Sequence, residues 1–94
     1  MKKHKLTDLF PGVTTKVLEH LIEHPSERFW YHKLASQLGV STTSVINIVT
    51  ELNEKGVVDI EELGPGRPSL IRLKEEAPVV QVLIRFVAEL KNLE

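Results

Sequence analysis

The 94-residue sequence predicts an α+β fold, four helices and one β-hairpin around a single small core. Three observations carry that expectation. Apolar residues recur at helical spacing in four separate segments. Two β-favouring stretches, 57–63 and 69–73, flank Gly64-Pro65-Gly66-Arg67-Pro68, where two glycines and two prolines in five residues make a projecting loop. The composition is 41% hydrophobic and 27% charged, enough apolar mass for one core and well away from disorder.

The first helix is expected over about 11–24. Pro11 suits an early helical position, and Val13, Val17, Leu18, Leu21 and Ile22 form its apolar stripe until Pro25 stops it. Arg28-Phe29-Trp30-Tyr31 reads as a brief strand or extended link. A two-turn helix follows over 32–38 with Leu34, Ala35 and Leu38 inward, and Gly39 fits a left-handed closing residue. Ser41 is a good N-cap for a third helix to about residue 55, its buried face made by Val45, Ile48, Val49 and Leu52. Gly56 ends it. The last helix is expected over about 78–92. Its Val79, Leu83, Phe86, Leu90 and Leu93 are spaced 4, 3, 4, 3, a seam with a 3.5-residue period, and Val80, Val82, Ile84 and Val87 widen the apolar surface beyond what one small domain covers.

Charge is distributed unevenly. The net charge is −1, with 12 Lys+Arg against 13 Asp+Glu, which argues against indiscriminate polyanion binding. Yet residues 28–50 carry Arg28 and Lys33 and no acid, while residues 51–62 hold five acids and one lysine. Such a pattern suits an anionic partner met over a small surface. There is no cysteine, which excludes disulfides, Cys-ligated zinc and thiol nucleophiles. The basic start Met1-Lys2-Lys3-His4-Lys5 leads into Asp8 and Pro11 rather than an apolar run, so no signal peptide is read; no membrane span is expected, and the expected location is cytoplasmic.

Two short helices joined by Leu38-Gly39-Val40-Ser41 make a helix-turn-helix, whose second helix opens with the small hydroxyl residues Thr42, Thr43 and Ser44. Small polar residues let a helix sit deep in a major groove and bond phosphates or base edges. The run from Leu34-Ala35 through Gly39-Val40-Ser41-Thr42-Thr43-Ser44-Val45, then Leu52-Asn53-Glu54-Lys55-Gly56-Val57-Val58, resembles the winged helix-turn-helix of prokaryotic transcription regulators of the MarR-like and ArsR-like groups. Ser44 stands where Thr is usual, Asn53 where Glu is usual and Val57 where Leu is usual. The Gly64–Pro68 loop followed by Leu73 is similar to the wing of many small archaeal and bacterial members. The resemblance covers residues 11–75. It implies a three-helix core and a β-hairpin wing, and the 3.5-residue seam with its extra apolar flank makes the last helix a C-terminal dimerisation element. The organisation expected is thus a basic N-terminal arm at 1–10, the DNA-binding domain at 11–75 and the dimerisation helix at 76–94.

The same resemblance implies roles. Ser41 and Thr42 would cap the third helix and touch phosphate. Thr43, Ile46, Asn47 and Thr50 would face the major groove, where Asn pairs with adenine in bidentate fashion and Ile46 would meet a thymine methyl; the alternative for Ile46 is a core position. Lys33 would bind phosphate, with Tyr31 and His32 as lesser contacts and Trp30 in the core or at an interface. Arg67, in a Gly-Arg-Pro that also resembles the core of the AT-hook, would enter an A·T minor groove; the alternative is a solvated turn arginine. Lys2, Lys3 and Lys5 would form a phosphate-binding arm or stay solvated. By their seam spacing, Val79, Leu83, Phe86 and Leu90 would form the homodimer interface; the alternative is a helix that folds back fully onto its own domain. The implied activity is sequence-specific binding of double-stranded DNA by a transcriptional regulator, the alternative being a winged-helix adaptor with a protein partner. Arg and Lys are missing from 42–50, which implies modest affinity per subunit. No enzyme is expected: there is no phosphate loop, no serine elbow and no carboxylate pair in an apolar setting. His20 and His24 have the i,i+4 spacing of a metal clasp, but with Glu19 and Glu23 they read as a solvated polar face, and no cofactor or metal is expected.

Overall fold

The computed structural model describes residues 5–93. Its elements, in chain order, are α1 (Leu6–Leu9), α2 (Val13–Glu23), β1 (Arg28–Trp30), α3 (Tyr31–Leu38), α4 (Thr42–Glu54), β2 (Val58–Glu61), β3 (Leu70–Leu73) and α5 (Pro78–Asn92). The three strands form one antiparallel sheet in the order β1-β3-β2. The third helix of the sequence reading is therefore α4, and the last is α5, with the bounds expected for it.

The core follows from alternation in β3. Ile71 and Leu73 point inward and are fully buried; Phe29 pairs with Ile71, and Val58 with Leu73. Val17 and Leu21 of α2, Leu34 of α3, Val45 and Val49 of α4 and Val80 of α5 close over that face. On the other face of the sheet, Arg28, Arg72 and Asp59 stand in one row across β1, β3 and β2. The Arg72 guanidinium bonds Asp59 at 2.7 Å and Glu76 at 3.0 and 3.2 Å. Arg28 bonds Glu61 at 2.9 Å. Arg28 and Arg72 thus engage three of the acids that follow α4.

Three expectations need correction. The first long helix starts at Val13 rather than near residue 11, because Gly12 has φ 138°, outside the helical region, and leaves Pro11 in the approach. Part of the expected basic arm is structured: Leu6 is buried in the core, and the Glu19 carboxylate accepts both the backbone N–H and the hydroxyl of Thr7. A four-residue helix is too short to show a period, so only Leu6 could have signalled it. Lys2 and Lys3 lie outside the described residues.

The third correction concerns α5. Val80, Val87 and Leu90 are buried, and Leu83 and Ile84 pack partly against the same core. Leu90 is therefore a core residue of its own chain and Leu83 is half-committed to it. Val79 and Phe86 point outward, 50% and 40% exposed, with Val82 and Leu93 beside them. The helix has two apolar faces. Its 3.6-period face meets α2, where Lys91 and Glu23 add an ion pair at 3.1 Å.

Two outcomes follow from this packing. Ile71→Ala should lower the unfolding free energy by about 2–5 kcal/mol, whereas Leu63→Ala on the exposed wing should stay within about 0.5 kcal/mol, both read by urea denaturation. The hydrogen bonds from Arg72 hold the Glu76 carboxyl down, from 4.5 to about 2. A depressed carboxyl contributes stability above its unfolded value and loses it as pH falls through its folded one. Carboxyl NMR should therefore place the Glu76 midpoint near 2. The stability gap between the natural protein and Glu76→Gln should close as pH falls from 4.5 to 2.

Candidate nucleic-acid interface

The turn between α3 and α4 is built by the backbone. Gly39 adopts φ 68°, ψ 35°, a left-handed conformation that costs a residue with a Cβ. The Val40 N–H then donates to the Ala35 carbonyl at 3.0 Å, and half-buried Val40 seals the angle. At the start of α4 the Ser41 hydroxyl oxygen accepts the Ser44 N–H at 3.1 Å, and its proton goes to the Ser44 hydroxyl at 2.8 Å. Ser41 is thus a true N-cap, and its hydroxyl is already engaged within the helix.

Burial of Val45, Val49 and Leu52 fixes the rotation of α4. Thr43, Ile46, Asn47 and Thr50, at i, i+3, i+4 and i+7, form one exposed stripe, with Thr42 exposed at its head. Ile46 is 42% exposed, so the core alternative for it falls away. The Thr50 hydroxyl donates to the Ile46 carbonyl at 2.7 Å, which leaves its oxygen as an acceptor. Glu51 pairs with Lys55 at 3.1 Å in the last turns. The neutral, hydroxyl- and amide-bearing part of the helix is therefore its first half, the half whose N–H groups and dipole favour anions.

The flanking cations differ in their availability. Lys33 is exposed in the first turn of α3, and among the described residues it has no carboxylate at ion-pair distance. Arg28 is taken by Glu61, so it is a sheet residue rather than a free cation. Tyr31 packs partly against the core, and burial, followed by the Glu62 charge, raises its phenol above the ordinary value. His32 is exposed and Trp30 is half-buried on the outer side of β1.

At the wing, the Arg67 N–H donates to the Gly64 carbonyl at 3.1 Å and closes a four-residue turn. With Pro65 second and Gly66 third at φ 73°, the turn has the chemistry of type II, which needs positive φ at its third residue. Arg67 leaves the turn exposed to solvent, without an ion-pair partner among the described residues. The structure thus brings Thr42, Thr43, Ile46, Asn47 and Thr50 onto one helix face, and sets Lys33 and Arg67 apart on neighbouring elements.

The sequence reading missed one contact. The Asn53 side-chain amide donates to the Val58 carbonyl at 2.9 Å and ties the end of α4 to the wing. Its one signal in the chain was an amide where the resembled pattern carries a glutamate.

The His20 and His24 rings lie 4.7 Å apart and both approach Phe29. Burial, then the neighbouring His24, lowers the His20 pKa, against a hydrogen bond with Gln37. Among the described residues no group of three His, Asp or Glu side chains is placed to hold a metal ion. No helix among them is long and apolar enough to cross a membrane.

No family model matches the chain, and no curated protein matches it in sequence. Solved structures match it in shape. A MarR-family transcriptional regulator from Rhodococcus sp. RHA1 superposes with a TM-score of 0.63 at 21% identity, over 93% of this chain and 59% of that one. ZitR of Lactococcus lactis in complex with DNA gives 0.62 at 20% identity, over 86% and 56%. The PcaV transcriptional regulator of Streptomyces coelicolor, in complex with its natural ligand, gives 0.59 at 22% identity, over 84% and 55%. The chain spans 55–59% of the length of these three. A three-helix core, a hairpin wing after the third core helix and a closing C-terminal helix give this chain the winged helix-turn-helix fold, the fold of MarR-like regulators.

Proposed function

We propose that the protein is a transcriptional regulator that binds duplex DNA in a sequence-specific manner, with α4 in the major groove and the wing in the adjacent minor groove. The observation that carries this reading is the exposed stripe Thr43-Ile46-Asn47-Thr50 on a helix whose N-terminal half is free of acids. Asn47 supplies a bidentate amide for adenine and Ile46 an apolar surface for a thymine methyl. Thr42 and Lys33 take phosphates, as does Ser41 once its hydroxyl turns from Ser44. Arg67 at the wing tip reads a narrow A·T minor groove. With a single arginine at the wing and none on α4, one subunit binds weakly, and a homodimer supplies the remainder. The exposed face of α5, with Val79 and Phe86 at its centre and Leu83 at its edge, is the seam of that dimer. Two α4 helices would then enter successive major grooves roughly 34–36 Å apart. Acting on DNA, the regulator works in the cytoplasm. A MarR-family transcriptional regulator of this fold, and ZitR of this fold in complex with DNA, support the reading.

A second reading has its own observation. The α4 stripe carries no cation, and its most exposed apolar side chain is Ile46, features that suit a protein-binding adaptor. Titration into a randomised duplex pool at low and moderate salt, with the bound DNA sequenced, separates the two. A two-fold-symmetric site with half-sites one helical turn apart is expected; failure to retain duplex at low salt would move the α4 surface to a protein partner.

On the recovered site, Asn47→Ala should cost about 1–3 kcal/mol of discrimination at one base pair and leave non-specific binding unchanged, measured by competition. Arg67→Ala should weaken A·T-flanked sites by about 1–3 kcal/mol and others less. Phe86→Glu, on the exposed face, should yield a folded monomer by sedimentation; an unchanged dimer mass would reject the α5 seam.

A further inference from the structure

We propose that Asn53 is a positioning residue that sets the pitch of the wing against α4, so that helix and wing tip meet the duplex in one register; its effect on DNA rests on the proposed function above. The backbone leaves a specific gap for it to fill. The helix ends in a closed motif in which Val57 N–H donates to the Leu52 carbonyl at 2.9 Å and Gly56 N–H to the Asn53 carbonyl at 3.1 Å. That motif ends the helix, but the hairpin begins only at Val58. β2 is an edge strand, paired with β3 alone. Lys74 N–H donates to the Val57 carbonyl, so alternation along the ladder turns the Val58 carbonyl to the free edge, away from β3. The Asn53 amide takes that carbonyl at 2.9 Å. Among the described residues it is the one side-chain hydrogen bond between α4 and the hairpin.

Leverage gives the bond its consequence. At ~3.3 Å per residue, the arm from Val58 to the turn at Gly64 is about 20 Å long, so a tilt of about 10° at its base moves the tip by about 3.5 Å. A displacement of that size exceeds the tolerance of any hydrogen bond Arg67 makes in a groove. The ion pairs of Arg72 stiffen the hairpin itself and join it to the approach to α5, and the Arg28–Glu61 pair joins it to β1; none of them reaches α4.

The test has an arm that needs no DNA. Backbone amide residual dipolar couplings are measured for the natural protein, Asn53→Ala and Asn53→Asp, the last keeping the shape but losing the donor. In both variants the couplings of α4 and of β2–β3 should each fit well alone, and the two should no longer fit one common alignment; a common fit in both variants would overturn the proposal. In the second arm, Asn53→Ala should weaken binding to an A·T-rich duplex by about 3–10-fold, yet by under about 2-fold in an Arg67→Ala background. Equal losses in both backgrounds would show that Asn53 does not act through the wing tip. If the natural protein retains no duplex, the proposed function fails, and the couplings alone decide whether Asn53 sets the wing.

Discussion

The structure depends on the alternation of one short strand. β3 lies between β1 and β2, and its Ile71 and Leu73 are fully buried where the helices converge. Between them Arg72 points the other way and holds Asp59 and Glu76. A slip of one residue would put the guanidinium into the core and two large aliphatic side chains into water, so the register is strongly specified. Everything that presents a functional surface is referred to that strand. The wing is its hairpin, β1 pairs with it just before α3, and α2 packs on its inner face.

Around that frame the charges are sorted rather than merely balanced. Glu51 of α4 ends on Lys55, and Asp59, Glu61 and Glu76 beyond it end on Arg28 and Arg72. Among the described residues, Lys33 beside the helix-turn-helix and Arg67 at the wing have no carboxylate at ion-pair distance. The α4 stripe is neutral. On the proposed reading, specificity comes from amide, methyl and hydroxyl contacts, and the few cations set position. A protein of this kind has a shallow salt dependence per subunit and gains much from symmetry. The apolar outer face of α5 is consistent with that need, since Val79, Val82, Phe86 and Leu93 are exposed there among the described residues.

The sequence by itself determined the local elements. Periodicity and stop signals defined α3, α4 and α5 almost to the residue, because Gly39, Gly56 and Pro78 act through backbone conformation and Ser41 through a cap on its own helix, both of which depend on neighbours in the chain. The stripe on α4 was legible for the same reason: the buried positions Val45, Val49 and Leu52 leave only one face outward. The tertiary structure decided what depends on distant partners. It placed Leu6 in the core, gave Arg28 to Glu61 across the sheet, exposed Ile46 and turned Leu90 inward. An apolar helix with two faces carries no local mark of which one meets its own domain; that choice is made by the shape of the α2 surface it packs on. Asn53 belongs to the same class, since an amide near a helix end acquires its partner only when the next strand becomes an edge of the sheet.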